Sequence, residues 1–244
     1  MRSPHLPFEG RSQLVKKRPP KKLGWPAKVA LGIGGVLLFL YFCCACMVMA
    51  LRFINPPTTV VQLQRQIAAA LAKRPYRLHY LYVPISRIAP DLQYAVIAEE
   101  DGRFYVHHGF DWAEMRKVMQ SDMEKRRLGR GASTITQQLA KNLFLGTERS
   151  MIRKGIEFTI VPLLELILSK NRILELYINV IEWGPGIFGA EAASEHWYHV
   201  PASEVSREQA AHLAAIIPSP LRRVPSAENE YSQEILDRMK KMGW

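Results

Sequence analysis

The stretch AVIAEEDGRFYVHHGFD, Ala95 to Asp111, decides how the chain is read. At helical spacing Leu92, Val96, Glu100 and Phe104 fall on one stripe, so a carboxylate stands where the period calls for an apolar side chain. A carboxylate held against an apolar wall has its charged form desolvated, which raises its pKa and suits it to general acid or base work near neutral pH. Glu100 is therefore the first candidate for chemistry, and its rival is a helix end carrying solvated acids. Glu99 lies about 100° round the helix and Asp101 ends the run, so either faces water or caps a turn. Gly102, Gly109 and the pair His107 and His108 predict an irregular segment leaving the helix, a common setting for site residues.

Beyond Asp111, Trp112 to Arg127 is a charged helical segment with Trp112, Met115, Val118, Met119 and Met123 on one side. It is either a surface helix packed through its methionines or a helix that faces a bilayer. Gly131 to Asn142, GASTITQQLAKN, predicts a helix capped by Ser133 or Thr134, with Ile135, Leu139 and Leu143 as its apolar stripe. The opposite face carries Gln137, Gln138, Lys141 and Asn142, which could hold a sugar or phosphate by hydrogen bonds or could simply be solvated. Arg149, Arg153 and Lys154 then lie close to Glu157, and Arg149, Arg153 and Glu157 share a helix face. Three cations around one acid form either a surface ladder, which contributes little, or a clamp for a diphosphate. The run Ile156 to Leu168 is apolar enough for a buried centre, and Pro162 inside it predicts a kink or break. SKNRILELYINVIEWGPGIFGAEAA, from Ser169, predicts a helix, a Gly-Pro-Gly turn and the start of another helix. Glu191 to Tyr198, Arg207 to Ile217 and the tail from Ser226 read as further helices.

On the N-terminal side, Pro90 and Asp91 mark the start of the helix that bears Glu100, and Tyr76 to Val83 reads as a short strand or extended link. Thr59 to Ala72 is helical, with Val60, Leu63, Ile67, Ala70 and Leu71 as its apolar stripe, and it follows a stalk marked by Pro56 and Pro57. Val29 to Leu51 contains no charged residue over 23 positions. That length spans about 35 Å of helix against an apolar bilayer core of about 30 Å. A cleaved signal peptide has a shorter apolar core and an A-x-A site, so a retained membrane anchor is expected. Residues 1–28 carry Arg2, Arg11, Lys16, Lys17, Arg18, Lys21, Lys22 and Lys28 against Glu9 alone, +7 of the chain's net +11, among five prolines. Such a segment reads as a disordered basic tail. Positive-inside bias sets the N-terminus in the cytoplasm and the rest outside, and no nucleic-acid motif follows the charge. Cys43, Cys44 and Cys46 all fall within the span, so no disulfide is expected in the outer domain. The division expected is a basic cytoplasmic tail (1–28), a transmembrane helix (29–51), a stalk and linking segment (52–82), a catalytic domain (83–225) and a C-terminal helix (226–244), the outer part mainly α.

Together these stretches resemble the peptidoglycan glycosyltransferases of glycosyltransferase family 51, in their monofunctional biosynthetic form. The family pattern EDxxFxxHxGxD matches Glu100, Asp101, Phe104, His107, Gly109 and Asp111, and G[GA]STITQQxxKN matches Gly131 to Asn142. RKxxE matches Arg153, Lys154 and Glu157, and KxxILExYxNxxxxGxGxxG matches from Lys170 through Gly189. The chain departs from the pattern at Ile178, often Leu, at Pro162, and at Trp197 to His199, where a Tyr-Phe-Gly-like triplet is common.

The resemblance implies a lysozyme-like, mainly α fold that polymerises lipid II into β-1,4 glycan, inverting the anomeric centre and releasing undecaprenyl diphosphate, without transpeptidation. Glu100 would be the general base, with Glu157 as a second catalytic residue. Lys141, Arg149, Arg153 and Lys154 would receive the diphosphate, while Asp101, Phe104, Ser133, Gln137, Gln138 and Asn142 would bind substrate. Glu157 would organise those cations or hold a divalent metal, Mg or Mn, as in some relatives. The implied partners are lipid II, the nascent glycan strand, membrane lipid and proteins of cell-wall synthesis and division, with no nucleic acid. The location implied is the bacterial inner membrane, with the catalytic domain periplasmic. Two other readings stay open: a lytic transglycosylase or muramidase, which needs no cationic clamp, and a non-catalytic membrane-anchored scaffold, for which Glu100 on an apolar stripe is an unexplained cost.

Overall fold

The computed structural model describes residues 24–125, 133–148, 150–226 and 230–244, the side chains of 121–125 excepted. Most of the basic tail, the Arg127 end of the charged helix, Gly131 and Arg149 therefore lie outside the described residues. The chain divides into two compact units, 1–42 and 43–244. Helix α1 runs from Trp25 to Ala50, and its 26 residues reach about 39 Å, longer than the apolar core of a bilayer at about 30 Å. Leu31, Val36, Leu38 and Phe39 in the first unit are exposed, as suits a span meeting lipid. In the second unit Val48 and Leu51 are buried in the domain core.

The second unit holds α2 (Val60–Leu71), strand β1 (His79–Tyr80), α3 (Pro90–Glu100), α4 (Trp112–Lys125), α5 (Ile135–Ala140), α6 (Met151–Ile167) and α7 (Lys170–Val180). Strands β2 (Glu182–Gly184) and β3 (Ile187–Phe188) follow, then α8 (Ala190–Tyr198), α9 (Arg207–Ala214) and α10 (Glu230–Lys241). The starts of these helices are written locally. Thr59 with Gln62, Thr134 with Gln137 and Ser206 with Gln209 each form a reciprocal capping box, and Pro90 stands in the first turn of α3, where its missing N–H costs nothing. Between Ser133 and Thr134 the cap falls to Thr134.

Two helical groups make the core. α3 packs on α9 and α10, while α5 packs on α6 and α7, and α3 also touches α7. Leu92, Val96, Ile135, Leu139, Leu164, Ile173 and Leu176 are all wholly buried between them, each such side chain contributing about 1.5–3 kcal/mol. A small sheet of order β1-β3-β2 closes one end, with β1 parallel and β2 antiparallel to β3. α7 fastens the incoming chain to this body. The buried Asn179 amide pairs with both backbone groups of Val83 at 2.9 Å, and Glu175 accepts from Tyr82 Oη and the Ile85 N–H at 2.9 Å.

Several expected faces point elsewhere. The α2 stripe is turned outward: Leu63, Ile67 and Leu71 are exposed, and Val61 and Gln62 supply the buried side. α6 continues unbroken through Pro162, and it is apolar on two faces rather than buried all round. Ile160, Val161, Leu164 and Leu168 enter the core while Met151, Ile152, Ile156 and Leu166 remain exposed. Phe104 has left the helix and lies in the turn after Asp101, wholly buried.

Gly109 fixes the loop from α3 to α4. Its φ is +87°, and a Cβ there would meet Val161 Cγ1 at 2.5 Å and Glu165 Cγ at 3.1 Å. Gly109→Ala combines left-handed strain with overpacking, an expected loss of about 2–4 kcal/mol. Melting of the detergent-solubilised chain should fall by roughly 5–15 °C, and a shift under about 2 °C would show that the loop accommodates the methyl group.

Candidate active site

A cleft of about 780 Å³ opens where the C-terminal end of α3, the N-terminal end of α5, the turn after it and α6 converge. Glu100, Gln138, Lys141, Arg153, Lys154 and Glu157 line it, and Ser133 and Gln137 stand on the same wall. Of the residues expected to bind substrate, Phe104 and Asn142 do not reach it. The Phe104 ring is enclosed by Tyr105, His107 and the Lys170 ammonium 4.5 Å above it, and buried Asn142 donates to the Gln138 carbonyl at 2.8 Å. Arg149 lies outside the described residues.

The three successive acids at the end of α3 have three separate environments. Glu99, expected to face water or cap a turn, is 8% exposed and bonds to Arg238 Nη2 at 2.5 Å, while Arg238 Nη1 donates to the Ala98 carbonyl at 3.0 Å. α10 thus grips the helix that bears Glu100. Asp101 is also buried: its carboxylate takes His107 Nε2 at 2.8 Å and the Ile135 N–H at 3.0 Å. His107 Nδ1 accepts from the Gly109 N–H at 3.1 Å, so the imidazole proton sits on Nε2 and is donated to Asp101. Asp101 therefore joins α3, the loop and α5 at the wall of the cleft. Glu100, between them, is half-buried and turned to the cleft. Its Oε2 accepts from Gln138 Nε2, and Gln138 Oε1 accepts from Tyr177 Oη at 2.9 Å.

In the same cleft cations gather around one acid. Glu157 is 2% exposed, between Lys154 Nζ at 2.5 Å and Arg153 Nη1 at 3.4 Å. Arg153 Nε is buried with no hydrogen-bond partner among the described residues, a donor in reserve. Lys141 stands on a π-helical turn (Lys141–Leu145), the widened geometry that recurs at functional sites. Burial pushes its ammonium below the usual 10.5; Glu100 and Glu157 oppose that shift, and Arg153 and Lys154 reinforce it. The cleft thus offers one half-buried carboxylate facing a region of net positive charge, suited to taking a proton from one group while an anion departs on the other side.

Two places could hold a metal. Asp101, His107 and Asp111 bring their ligand atoms within 4.8 Å of one another. Those atoms are committed: His107 uses both nitrogens, Asp101 serves His107 and Ile135, and Asp111 Oδ1 caps α4 through the Ala113 and Glu114 N–H groups at 3.1 and 3.0 Å. Glu157, the expected ligand, has its oxygens on two cations, and it belongs to no cluster of three or more candidate ligands among the described residues. Its surroundings do not fit a resident divalent ion.

Sequence reasoning missed Arg238 and Tyr177. For Arg238 the chain holds no local signal. Tyr177 does have one, because a tyrosine within the apolar run of α7 needs a partner for its hydroxyl.

The transglycosylase family model matches residues 65–242. Biosynthetic peptidoglycan transglycosylases are among the relatives. That of Laribacter hongkongensis is 46% identical over 166 residues, 68% of this chain and 73% of the relative. That of Thiobacillus denitrificans is 50% identical over 167 residues, 68% and 72% respectively, and that of Aeromonas hydrophila is 42% identical over 205, 83% and 85%.

Proposed function

Because the chain belongs to the peptidoglycan transglycosylase family, a glycosyltransferase of mainly α, lysozyme-like fold, we propose that its cleft polymerises lipid II by single inverting displacements, with Glu100 as general base. The observation that carries this reading is that Glu100, Lys141, Arg153 and Lys154 line one cleft. The acceptor's 4-hydroxyl oxygen attacks the anomeric carbon of the growing strand while Glu100 takes the hydroxyl proton. A β-1,4 bond forms, the bond from the anomeric carbon to the phosphate breaks, and the undecaprenyl diphosphate leaves with the electron pair. One displacement inverts an α-linked donor, so no protein nucleophile is required. The leaving group needs cations more than a proton, and charge-assisted bonds from Arg153, Lys154 and Lys141 suit it. Glu157 holds Arg153 and Lys154 in place, Ser133 meets sugar hydroxyls, and no step is routed through a metal.

The membrane has a part in this. A helix able to cross it and the exposed apolar residues Phe53, Trp112, Met119, Met151, Ile152 and Leu166 suit an enzyme whose substrate is confined to the bilayer plane. The cationic tail sets its N-terminus in the cytoplasm and residues 83–225, with the catalytic groups, on the periplasmic side of a bacterial inner membrane. Proteins of wall synthesis and division are the expected neighbours there. A lytic activity would leave the cations around Glu157 without a task. The test is incubation of the full chain with purified lipid II in detergent: polymer that a muramidase digests is expected. Cleavage of finished peptidoglycan without polymer would transfer the site to the lytic class.

A further inference from the structure

Gln138 joins two groups of different kind: its Nε2 donates to Glu100, and its Oε1 accepts from a phenol that has no exposed surface. A glutamine amide is nearly isosteric end for end, so sterics alone do not decide which end meets a carboxylate. We propose that Tyr177 is a positioning residue for Glu100, acting through the Gln138 amide; this rests on the reading of Glu100 as the base.

Tyr177 lies on α7, in the buried run from Leu176 to Val180, and Gln138 lies on α5, which packs against it. Burial, and after it the nearby charges of Glu100, Asp101 and Glu99, hold the phenol well above its usual value near 10. A phenol that stays protonated can fill the amide's acceptor end as a permanent donor. The oxygen of Gln138 is then committed to Tyr177, and the amide must turn its N–H toward Glu100. Reversal would set Oε1 against a carboxylate that can only accept, and would turn the amide N–H₂ to the phenol oxygen, taking from the buried O–H the acceptor it now has. The arrangement therefore holds Glu100 in one orientation at the cleft and favours its charged form, the state a base needs. A plain structural reading has Gln138 merely satisfying a buried tyrosine. That reading predicts a loss of stability in variants and no change in how activity depends on pH.

The experiment uses the full chain in detergent with purified lipid II, comparing Tyr177→Phe, Gln138→Leu, the double variant and Glu100→Gln with the unchanged chain. Tyr177→Phe should lower kcat about tenfold, a fraction of what general base catalysis contributes, with KM within about twofold. The acidic limb of kcat should move to higher pH, because a carboxylate deprived of its N–H donor holds a proton more firmly. In the Gln138→Leu background the tyrosine change should cost less than about twofold, since the two act in series. An unmoved limb with kcat within about twofold in Tyr177→Phe, or full additivity in the double variant, would overturn the proposal. Should Tyr177→Phe fail to fold, Gln138→Leu decides alone, and an unmoved limb there breaks the link at its middle. Active Glu100→Gln would remove the base reading itself; inactive Glu100→Gln beside normal Tyr177→Phe would remove only the role of Tyr177.

Discussion

Glu100→Gln should lower kcat for glycan polymerisation by about 10²–10⁴, which is about 2.7–5.5 kcal/mol of transition-state stabilisation. The substitution preserves shape and can still bond to Gln138, so the helix end gripped by Arg238 keeps its geometry. What it removes is the ability to accept a proton. Loss should therefore appear in kcat, with the melting temperature and binding of lipid II close to those of the unchanged chain. The comparison is an initial-rate series over lipid II concentration, with folding followed by circular dichroism. Undiminished synthesis in this variant would exclude Glu100 as the base, and a large rise in KM at constant kcat would make it a binding residue instead.

Much of the site was legible because its residues lie close together in the chain and at informative spacing. Glu100 interrupts an apolar stripe, and the run from Arg153 to Glu157 places cations and acid one turn apart on a helix. The capping boxes at Thr134 and Ser206 could be read for the same reason: both partners stand three residues apart. Illegible features depend on distant pairing. Nothing near Glu99 announces that Arg238, on the last helix, takes its carboxylate, so a buried acid passed for a solvated one. Asp101 likewise reads as a turn cap until α5 arrives to present the Ile135 N–H.

Apolar stripes misled for a different reason. Period shows that a face is apolar but not what covers it, and the stripes of α2 and α6 look the same whether they meet a core or open surface. Phe104 illustrates the converse. Its place in a motif beside Glu100 suggested contact with substrate, yet a large ring in a tight turn packs inward, under the Lys170 ammonium, and acts by holding the loop. The motif of α7 behaves in the same way. Glu175 and Asn179 serve to tie the 82–85 segment to the domain, so motif membership marks the architecture of the site as much as its chemistry.

Lys141→Met should reduce kcat/KM by about 10²–10³, the range for removing one preorganised charge donor from a transition state. Methionine keeps the length and the apolar stem, so the loss is of charge. The pH dependence supplies a second readout. Burial lowers the pKa of this ammonium below 10.5, and the folded chain therefore releases its proton before the unfolded chain does. Below the folded pKa Lys141 costs stability in full; between the two values the unfolded state binds more protons, and stability from this group rises with pH until the cost is gone at the unfolded value. Activity runs the opposite way, because a departing diphosphate needs the cation: it should fall as pH rises through the folded pKa, giving an alkaline limb below 10.5. Lys141→Arg, whose guanidinium does not titrate there, should retain part of the activity and lose that limb. A limb that survives unchanged in Lys141→Arg belongs to another group. Activity of Lys141→Met within about threefold of the unchanged chain would leave Arg153 and Lys154 as the sole described cations on the diphosphate.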